Sequence, residues 1–366
     1  MSHAEGLPAR TAMRVHVVVP DGIDDPERPS GGNVYDRRAC LGLRALGWAV
    51  QEHVVPGRWP AVDPPARVAV AAALARVPSG EVVLIDGLVA SVVPEVLEPE
   101  ADRLRLVVLL HMPRNDQRES ATLSATSAIV ATSHWTKRWL SDTYDLPPER
   151  VFVVPPGVDR AEPASGTESG GRLLCVGAVT PGKGHDLLLA ALSMVEDQAW
   201  RCVCVGALEV DPQFAEVVLR KCHDSTLDGR VRFPGPLTQA DLSSVYAQAD
   251  VLVLASRAET YGMVVTEALA RGLPVIATEV GGVPEALGRA ADGSTPGLLA
   301  PPDDPAALAR ALRRWLADPA ERERLRAAAR SRRTTLVDWT RTARALSNVL
   351  TEVAGRRMNH PRVSAV

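Results

Sequence analysis

Apolar runs recur along the chain at regular intervals. In the first half they are MRVHVVV, WAVQEHVV, VVLID, LRLVVLL, SAIVAT and VFVVP. Runs such as LRLVVLL are apolar throughout instead of alternating, the pattern of strands covered on both faces of a parallel sheet. Between them lie helix-like stretches near 34–46, 66–76, 118–124 and 134–144. Strand then helix, repeated, predicts a doubly wound α/β unit. Residues 161–171, AEPASGTESGG, interrupt the pattern and predict a linker. The alternation then restarts with RLLCVG, RCVCVG, VRFPG, VLVLAS and LPVIAT. Helices are expected from about 184, near 212–222, at 239–248, from about 264, and near 305–317 and 319–332. A last amphipathic stretch, about 338–354, comes after the second unit is complete. The expected divisions are 1–165, 166–335 and a C-terminal helix at 336–356 that packs back on the first unit, followed by a frayed tail.

Composition narrows the class. The 366 residues, 46% hydrophobic and 23% charged, suit two globular units. A net charge of -3 gives no basic field for nucleic acid. Cys40, Cys175, Cys202, Cys204 and Cys222 form no CxxC pair; Cys175, Cys202 and Cys204 sit in apolar runs and read as core residues, and absence of disulfides fits a reducing cytoplasm. The run Val15–Val19 is too short for a signal segment and reads as a first strand. No run is long enough for a membrane span. Only Lys137, Lys183 and Lys221 are lysines, so each stands out against arginine, the usual cation of this chain.

Ligands in doubly wound sheets bind beyond the carboxyl ends of strands, near helix N-termini. Four segments sit at such turns. The most specific is SRAETYGMVVTEALARGLPVIATEVGGVPE, residues 256–285. Glu259 and Glu267 are eight positions apart, around a helix start near Gly262. Backbone N–H groups of Tyr261, Gly262 and Met263 at that start make an anion site suited to a diphosphate. A carboxylate before the helix suits sugar hydroxyls, and one inside it suits ribose hydroxyls. The second segment, LLCVGAVTPGKGHDLLLAAL, mimics a P-loop at Gly177, Gly182 and Lys183. Gly184 stands where a P-loop needs Ser or Thr, and Pro181 removes an N–H from the cradle. The third, PSGGNVYDRRACLGLRALG, opens a helix with Gly31 and Gly32, which let backbone approach a ligand closely. The fourth, LVVLLHMPRND, ends a buried strand at His111 and continues to Arg114, Asn115 and Asp116. Asp86 similarly ends VVLID, and Ser133 reads as a helix N-cap.

Taken together these segments resemble the retaining glycosyltransferases of family 4, strongest between about 172 and 302. The resemblance implies the GT-B fold, two Rossmann-like units facing a cleft, with acceptor on the first and nucleotide sugar on the second. Its E-x7-E motif falls on Glu259 and Glu267. It implies that Lys183 holds the donor diphosphate, that His111 lines the sugar site, and that Gly31 and Gly32 border the phosphates. The family arginine near Lys183 is replaced by Ala178, which leaves Arg257 as a candidate substitute. Val264 joins Tyr261, Gly262 and Met263 on the donor side. VRFPGPLTQADL resembles the base loop, with backbone near Pro234 and Gly235 reading UDP, GDP or ADP. Asp86, Arg114 and Asp116 are expected toward the acceptor. PPGVD at 155–159 resembles a family turn with Pro156 in place of Asn.

The implied activity is retaining transfer of a hexose-type sugar to a small soluble hydroxyl acceptor. It needs no cofactor and no metal, since spacing shows no metal-ligand cluster and the family holds phosphates with cations and helix dipoles. Membrane association is not favoured, because residues 57–76 offer only Arg58, Arg67 and Arg76 beside Trp59. A nucleotide-sugar 2-epimerase of the same fold is the alternative. A dinucleotide oxidoreductase would need G-x-G-x-x-G after a first strand, and none is present.

Overall fold

The computed structural model describes residues 13–26 and 29–356. The first sheet contains β1 (Arg14–Pro20), β2 (Ala49–Val55), β3 (Val82–Asp86), β4 (Arg105–Leu110), β5 (Ala128–Ala131) and β6 (Val151–Val153). All are parallel, in the order β2-β1-β3-β4-β5-β6. The connections carry α1 (Gly31–Ala45), α2 (Pro64–Ala75), α3 (Gly87–Ala90), α4 (Pro94–Leu97), α5 (Gln117–Ala125) and α6 (His134–Tyr144). The strands β3, β4 and β5 are buried along nearly their whole length, as their unbroken apolar runs require.

The second sheet repeats the plan. Its strands are β7 (Arg172–Val176), β8 (Arg201–Val205), β9 (Val231–Gly235), β10 (Val251–Leu254), β11 (Val275–Thr278) and β12 (Gly297–Ala300). They run parallel in the order β12-β11-β10-β7-β8-β9. Its helices are α7 (His185–Ser193), α8 (Pro212–His223), α9 (Gln239–Gln248), α10 (Met263–Ala270), α11 (Val283–Leu287), α12 (Pro305–Ala317) and α13 (Pro319–Arg333). Each sheet reverses its strand order beside its first strand, the switch point that opens a crevice at the strand carboxyl ends.

Side-chain caps set many helix starts. Ser30 accepts from the Asn33 N–H, so α1 begins at Gly31, three residues before the apolar pattern suggests. Ser133, Asp211 and Asp304 cap α6, α8 and α12 in the same way. The structure adds elements that periodicity did not show: α3, α4, α11 and β12. Each spans only four or five residues, too few to display a helical or strand period.

The Gly-rich connection near 161–171 is anchored along the second unit. Buried Asp250 accepts from the Thr167 N–H, from Thr167 Oγ1 at 2.7 Å and from the Arg172 N–H at 2.8 Å. The last helix, α14 (Trp339–Gly355), returns to the first unit and packs on α1, β3 and β4. Leu346, Val349, Leu350 and Val353 enter the first core with Tyr35, Leu43 and Trp48. A Cβ at Gly157 would strike the backbone of Asp338 and Trp339, so the chain crosses itself there on a glycine. The frayed tail expected after this helix lies outside the described residues. Among the described residues no helix is long and apolar enough to cross a membrane.

Leu350 is fully buried under this returning helix. Leu350→Ala is expected to lower stability by about 2–5 kcal/mol through lost burial and a residual cavity. Chemical denaturation checks it; an unchanged midpoint would show that α14 is dispensable to the first core.

Candidate functional site

The carboxyl ends of both sheets meet at a cleft where α1 and α10 approach by their N-termini. A Cβ on Gly31 would lie 3.2 Å from Met263 Sδ, and one on Gly32 would lie 3.0 Å from His111 Cδ2. Both glycines are therefore demanded by contact, one across the cleft and one within the first unit. The junction is bonded as well. Thr260 Oγ1 donates to the His111 carbonyl at 2.5 Å. Thr136 Oγ1 donates to the Thr260 carbonyl at 3.4 Å. Glu285 accepts from the N–H groups of His134 and Trp135, at 2.8 and 2.5 Å, placing a carboxylate at the positive end of α6.

On the second unit, Glu259 is 7% exposed and accepts from Lys183 Nζ at 2.7 Å and Ser256 Oγ at 2.8 Å. Its backbone is gripped by the Gly281-Gly282 turn, whose Gly282 N–H donates to the Glu259 carbonyl at 3.0 Å. Gly281 holds φ 54 and any Cβ there would overlap that carbonyl. Gly262, at φ 90, begins α10 with no side-chain cap, so the first N–H groups, including those of Met263 and Val264, keep no side-chain acceptor. Tyr261 is buried just before this start. One turn in, Glu267 accepts from the Tyr246 hydroxyl at 2.9 Å, and burial pushes its carboxyl above the usual range. Tyr246 in turn lies under the Arg271 guanidinium, 4.5 Å from the ring centroid.

Arg257 does not present a free guanidinium. It is bound by Asp186 at 2.8 and 2.9 Å, by Asp303 at 2.7 Å and by the Pro181 carbonyl at 2.8 Å. Two carboxylates hold it, and through the Pro181 carbonyl it braces the Lys183 loop beside Ala178. Gly184, at φ 65, lets that loop pass the Ala255 carbonyl. Pro234 is exposed and Gly235 buried at φ 81 at the end of β9, where the Gly235 carbonyl accepts from the Gly206 N–H at 3.1 Å.

On the first unit, His111 Nε2 lies 2.8 Å from Asp36 Oδ1. Asp86 is 3% exposed and caps α3 through the Leu88 N–H at 2.6 Å. Burial drives both carboxyls up, Asp36 to about 7 and Asp86 well above the carboxylate range. Burial likewise holds the His111 ring below its ordinary value. Asp36 was not singled out in the sequence. The available signal was its place one turn after Gly32 on the same face of α1. Arg114 and Asp116 pair with each other at 2.9 Å, half-buried at the surface. Asp116 also caps α5 through the Glu119 N–H. The loop is ordered from beneath by fully buried Glu119, which accepts from the Arg114 N–H, Ser91 Oγ and Tyr144 hydroxyl.

Spacing showed no metal-ligand cluster, yet the fold assembles two groups whose ligand-type atoms lie within 4.8 Å of one another. In the first, Asp36, Asp86 and His111, the Asp36–His111 hydrogen bond and the Asp86 cap on α3 are those just described. Cys175, His185 and Cys204 lie in the second core, with Cys175 and Cys204 adjacent in the β7–β8 register. Residues drawn from separate strands and a helix leave no spacing motif in sequence.

Comparison with known proteins agrees with this arrangement. The model of the group 1 glycosyl transferases matches residues 161–332, and that of glycosyltransferase family 4 matches residues 93–162. A D-inositol 3-phosphate glycosyltransferase from Kineococcus radiotolerans is 34% identical over 254 residues, covering 63% of this chain and 58% of the relative. One from Frankia alni is 34% identical over 244 residues, covering 62% and 59%. The chain thus spans less than two thirds of the length of these curated relatives. Among solved structures, sucrose-phosphate synthase from Thermosynechococcus elongatus superposes with TM-score 0.74 at 22% identity over 93% of this chain and 99% of that one. Anabaena HepE in complex with UDP and glucose superposes with TM-score 0.73 at 16% identity over 93% and 100%. The fold is that of these GT-B glycosyltransferases, and the two family models together match residues 93–332, the family 4 model at the end of the first unit and the group 1 model over the second.

Proposed function

We propose that the protein transfers a sugar from a nucleoside-diphosphate sugar to a hydroxyl acceptor with retention at the anomeric carbon. One observation carries the reading. Lys183 Nζ sits 2.7 Å from Glu259 Oε1, beside the uncapped N-terminus of α10 and across from His111. A diphosphate there competes with Glu259 for the ammonium and meets the positive end of the helix. Glu259, released from Lys183, takes hydroxyls of the donor sugar. Glu267, one turn into the helix, takes the ribose hydroxyls. His111 lines the sugar from the first unit. Pro234 and Gly235 offer backbone toward the base.

Departure of the diphosphate breaks the bond from the anomeric carbon to oxygen. The acceptor oxygen forms its bond on the same face, and its proton passes to the departing phosphate oxygen. The chain supplies Lys183 and helix N–H groups for the leaving charge, so the reaction is read as independent of metal. The relatives named for D-inositol 3-phosphate put a phosphorylated polyol first among acceptors to try. Donor screening starts with UDP-sugars, since HepE was solved with UDP and glucose.

The direct test is incubation with UDP-, GDP- and ADP-sugars and an acceptor panel, followed by mass spectrometry. A product heavier by one glycosyl unit is expected. Isomerised donor without acceptor would establish the 2-epimerase alternative instead. Proton NMR of the first-formed product is expected to show the donor's anomeric configuration; an inverted anomer would refute the same-face mechanism.

Lys183→Ala is expected to cut turnover by about 10²–10³, the cost of losing one positioned charge in such a site. Lys183→Arg should rescue poorly, because a planar fork does not replace a compact ammonium. Normal turnover and donor affinity by calorimetry would remove Lys183 from the site.

The two glutamates are expected to fail differently. Glu259→Gln should lower kcat with nucleoside diphosphate affinity kept, whereas Glu267→Gln should weaken nucleotide affinity itself. Deoxyribose analogues check the division; equal sensitivity of both variants to the missing hydroxyl would refute it.

A further inference from the structure

Helix α1 meets His111 with three residues. Gly32 makes room for the ring, since a Cβ there would lie 3.0 Å from Cδ2 and 3.2 Å from Cγ. Asp36, one turn on, sets Oδ1 2.8 Å from Nε2. Tyr35 lies against the same ring with centroids 5.4 Å apart, tilted by 59°. Residues four apart share a helix face, so glycine and carboxylate form one notch with a hydrogen-bonding wall. Asp86 closes the notch from the end of β3, with an oxygen within 4.8 Å of both the Asp36 carboxylate and the ring. From the far side of the cleft, Thr260 fixes the His111 carbonyl. Nothing in this arrangement is needed to bury His111 alone, because an apolar residue at 36 would fill the same space. A 3% exposed aspartate there is costly unless its charge has a task.

We propose that Asp36 is a positioning residue of the transfer site: its carboxylate accepts the Nε2–H of His111, fixes that tautomer, and leaves Nδ1 a bare acceptor for a sugar hydroxyl. The proposal rests on reading the cleft as a site of sugar transfer. The bond made by one imidazole nitrogen decides which nitrogen carries the proton. The surrounding groups favour this form near neutrality. Burial keeps His111 neutral, so the ring has a tautomer to choose. Burial pushes the Asp86 carboxyl well up and raises Asp36 to about 7, the latter eased by neighbouring Asp86 and Arg37. The other charged or titratable neighbours are Arg37, Tyr35 and the buried Cys40 on α1, with Tyr261 facing Tyr35 across the cleft. Arg37 is shared with Asp24 and with Glu52 of β2. The returning helix α14 contributes the uncharged ring of Trp339, 5.7 Å from Tyr35.

The sign of the pH effect follows. Below about 7 Asp36 gains a proton, becomes a donor toward Nε2, and turns His111 to the other tautomer. Turnover should fall as pH drops through that value.

The experiment compares the full-length protein with Asp36→Asn, which keeps the side-chain shape, and Asp36→Ala. Long-range proton–nitrogen NMR of ¹⁵N-histidine protein at pH 8 reads the His111 tautomer directly, with His111→Gln to assign the signal. The wild type is expected to show Nε2–H alone, and both variants a mixture or Nδ1–H. In transfer assays kcat should fall about 10–100-fold, the usual loss when the outer partner of a functional histidine is removed. Donor KM should change little, and the acid limb near pH 7 should vanish in Asp36→Asn. A wild-type Nδ1–H tautomer, or both variants keeping tautomer, kcat and acid limb, would overturn the proposal. A tautomer shift in the variants, with a wild-type protein that transfers no sugar, would instead overturn the transferase reading, leaving the Asp36 hold on His111 established but without this role.

Discussion

The hydrogen bond from Thr260 to the His111 carbonyl joins the two halves at the point where their chemistry meets. Thr260 is the neighbour of Glu259, and His111 is the last turn before the loop that carries Arg114 and Asp116. A displacement of one sheet relative to the other would separate Glu259 from His111 by the same amount. Glu285 at the N-terminus of α6 supports the junction with two further bonds across the interface. The packing of Gly31 against Met263 then sets how closely the two helix N-termini approach. Larger residues at either glycine of α1 would prop the cleft open or push His111 out of line.

The charge balance of the cleft is spare. Lys183 is the cation beside the uncapped helix, and it is paired with a buried glutamate. Arg257, the nearest alternative, is held by Asp186 and Asp303. With Ala178 where the family has arginine, the N–H groups of α10 become proportionally more important to any anion bound there. On the opposite wall, burial raises both carboxyls and lowers the imidazole, pushing each of the three toward its uncharged form. The cleft is thus polar and weakly charged, suited to neutral hydroxyls flanking one anionic group.

Much of the architecture was legible in sequence. Unbroken apolar runs such as LRLVVLL marked the parallel strands, because burial on both faces removes the polar alternation that an open sheet shows. The spacing of Trp339, Leu346, Val349, Leu350 and Val353 marked the last helix, and the extra unit it formed after the second sheet pointed back to the first. Glu259, Glu267, Lys183 and His111 stood at strand-to-helix turns, where backbone geometry confines a binding site. Four short elements were not legible, since four or five residues carry at most two periods of any pattern. The connection near 161–171 looked like a free linker because its anchor, Asp250, lies some eighty residues away.

Sequence by itself determined the parallel sheets, the two-unit plan and the turns at which chemistry can sit, because these follow from local periodicity and from which residues can start a helix. Tertiary structure alone decided the partners. The histidine at the end of β4 acquired Asp36 from α1, Lys183 acquired Glu259, Glu267 acquired Tyr246, and Arg257 was taken by Asp186 and Asp303. Hydrogen bonds and ion pairs act over about 3 Å, and residues this close in space can stand 76 positions apart in the chain, as Lys183 and Glu259 do. No spacing rule spans such a distance, so the pairing that tunes each group becomes visible only when the fold brings the two ends together.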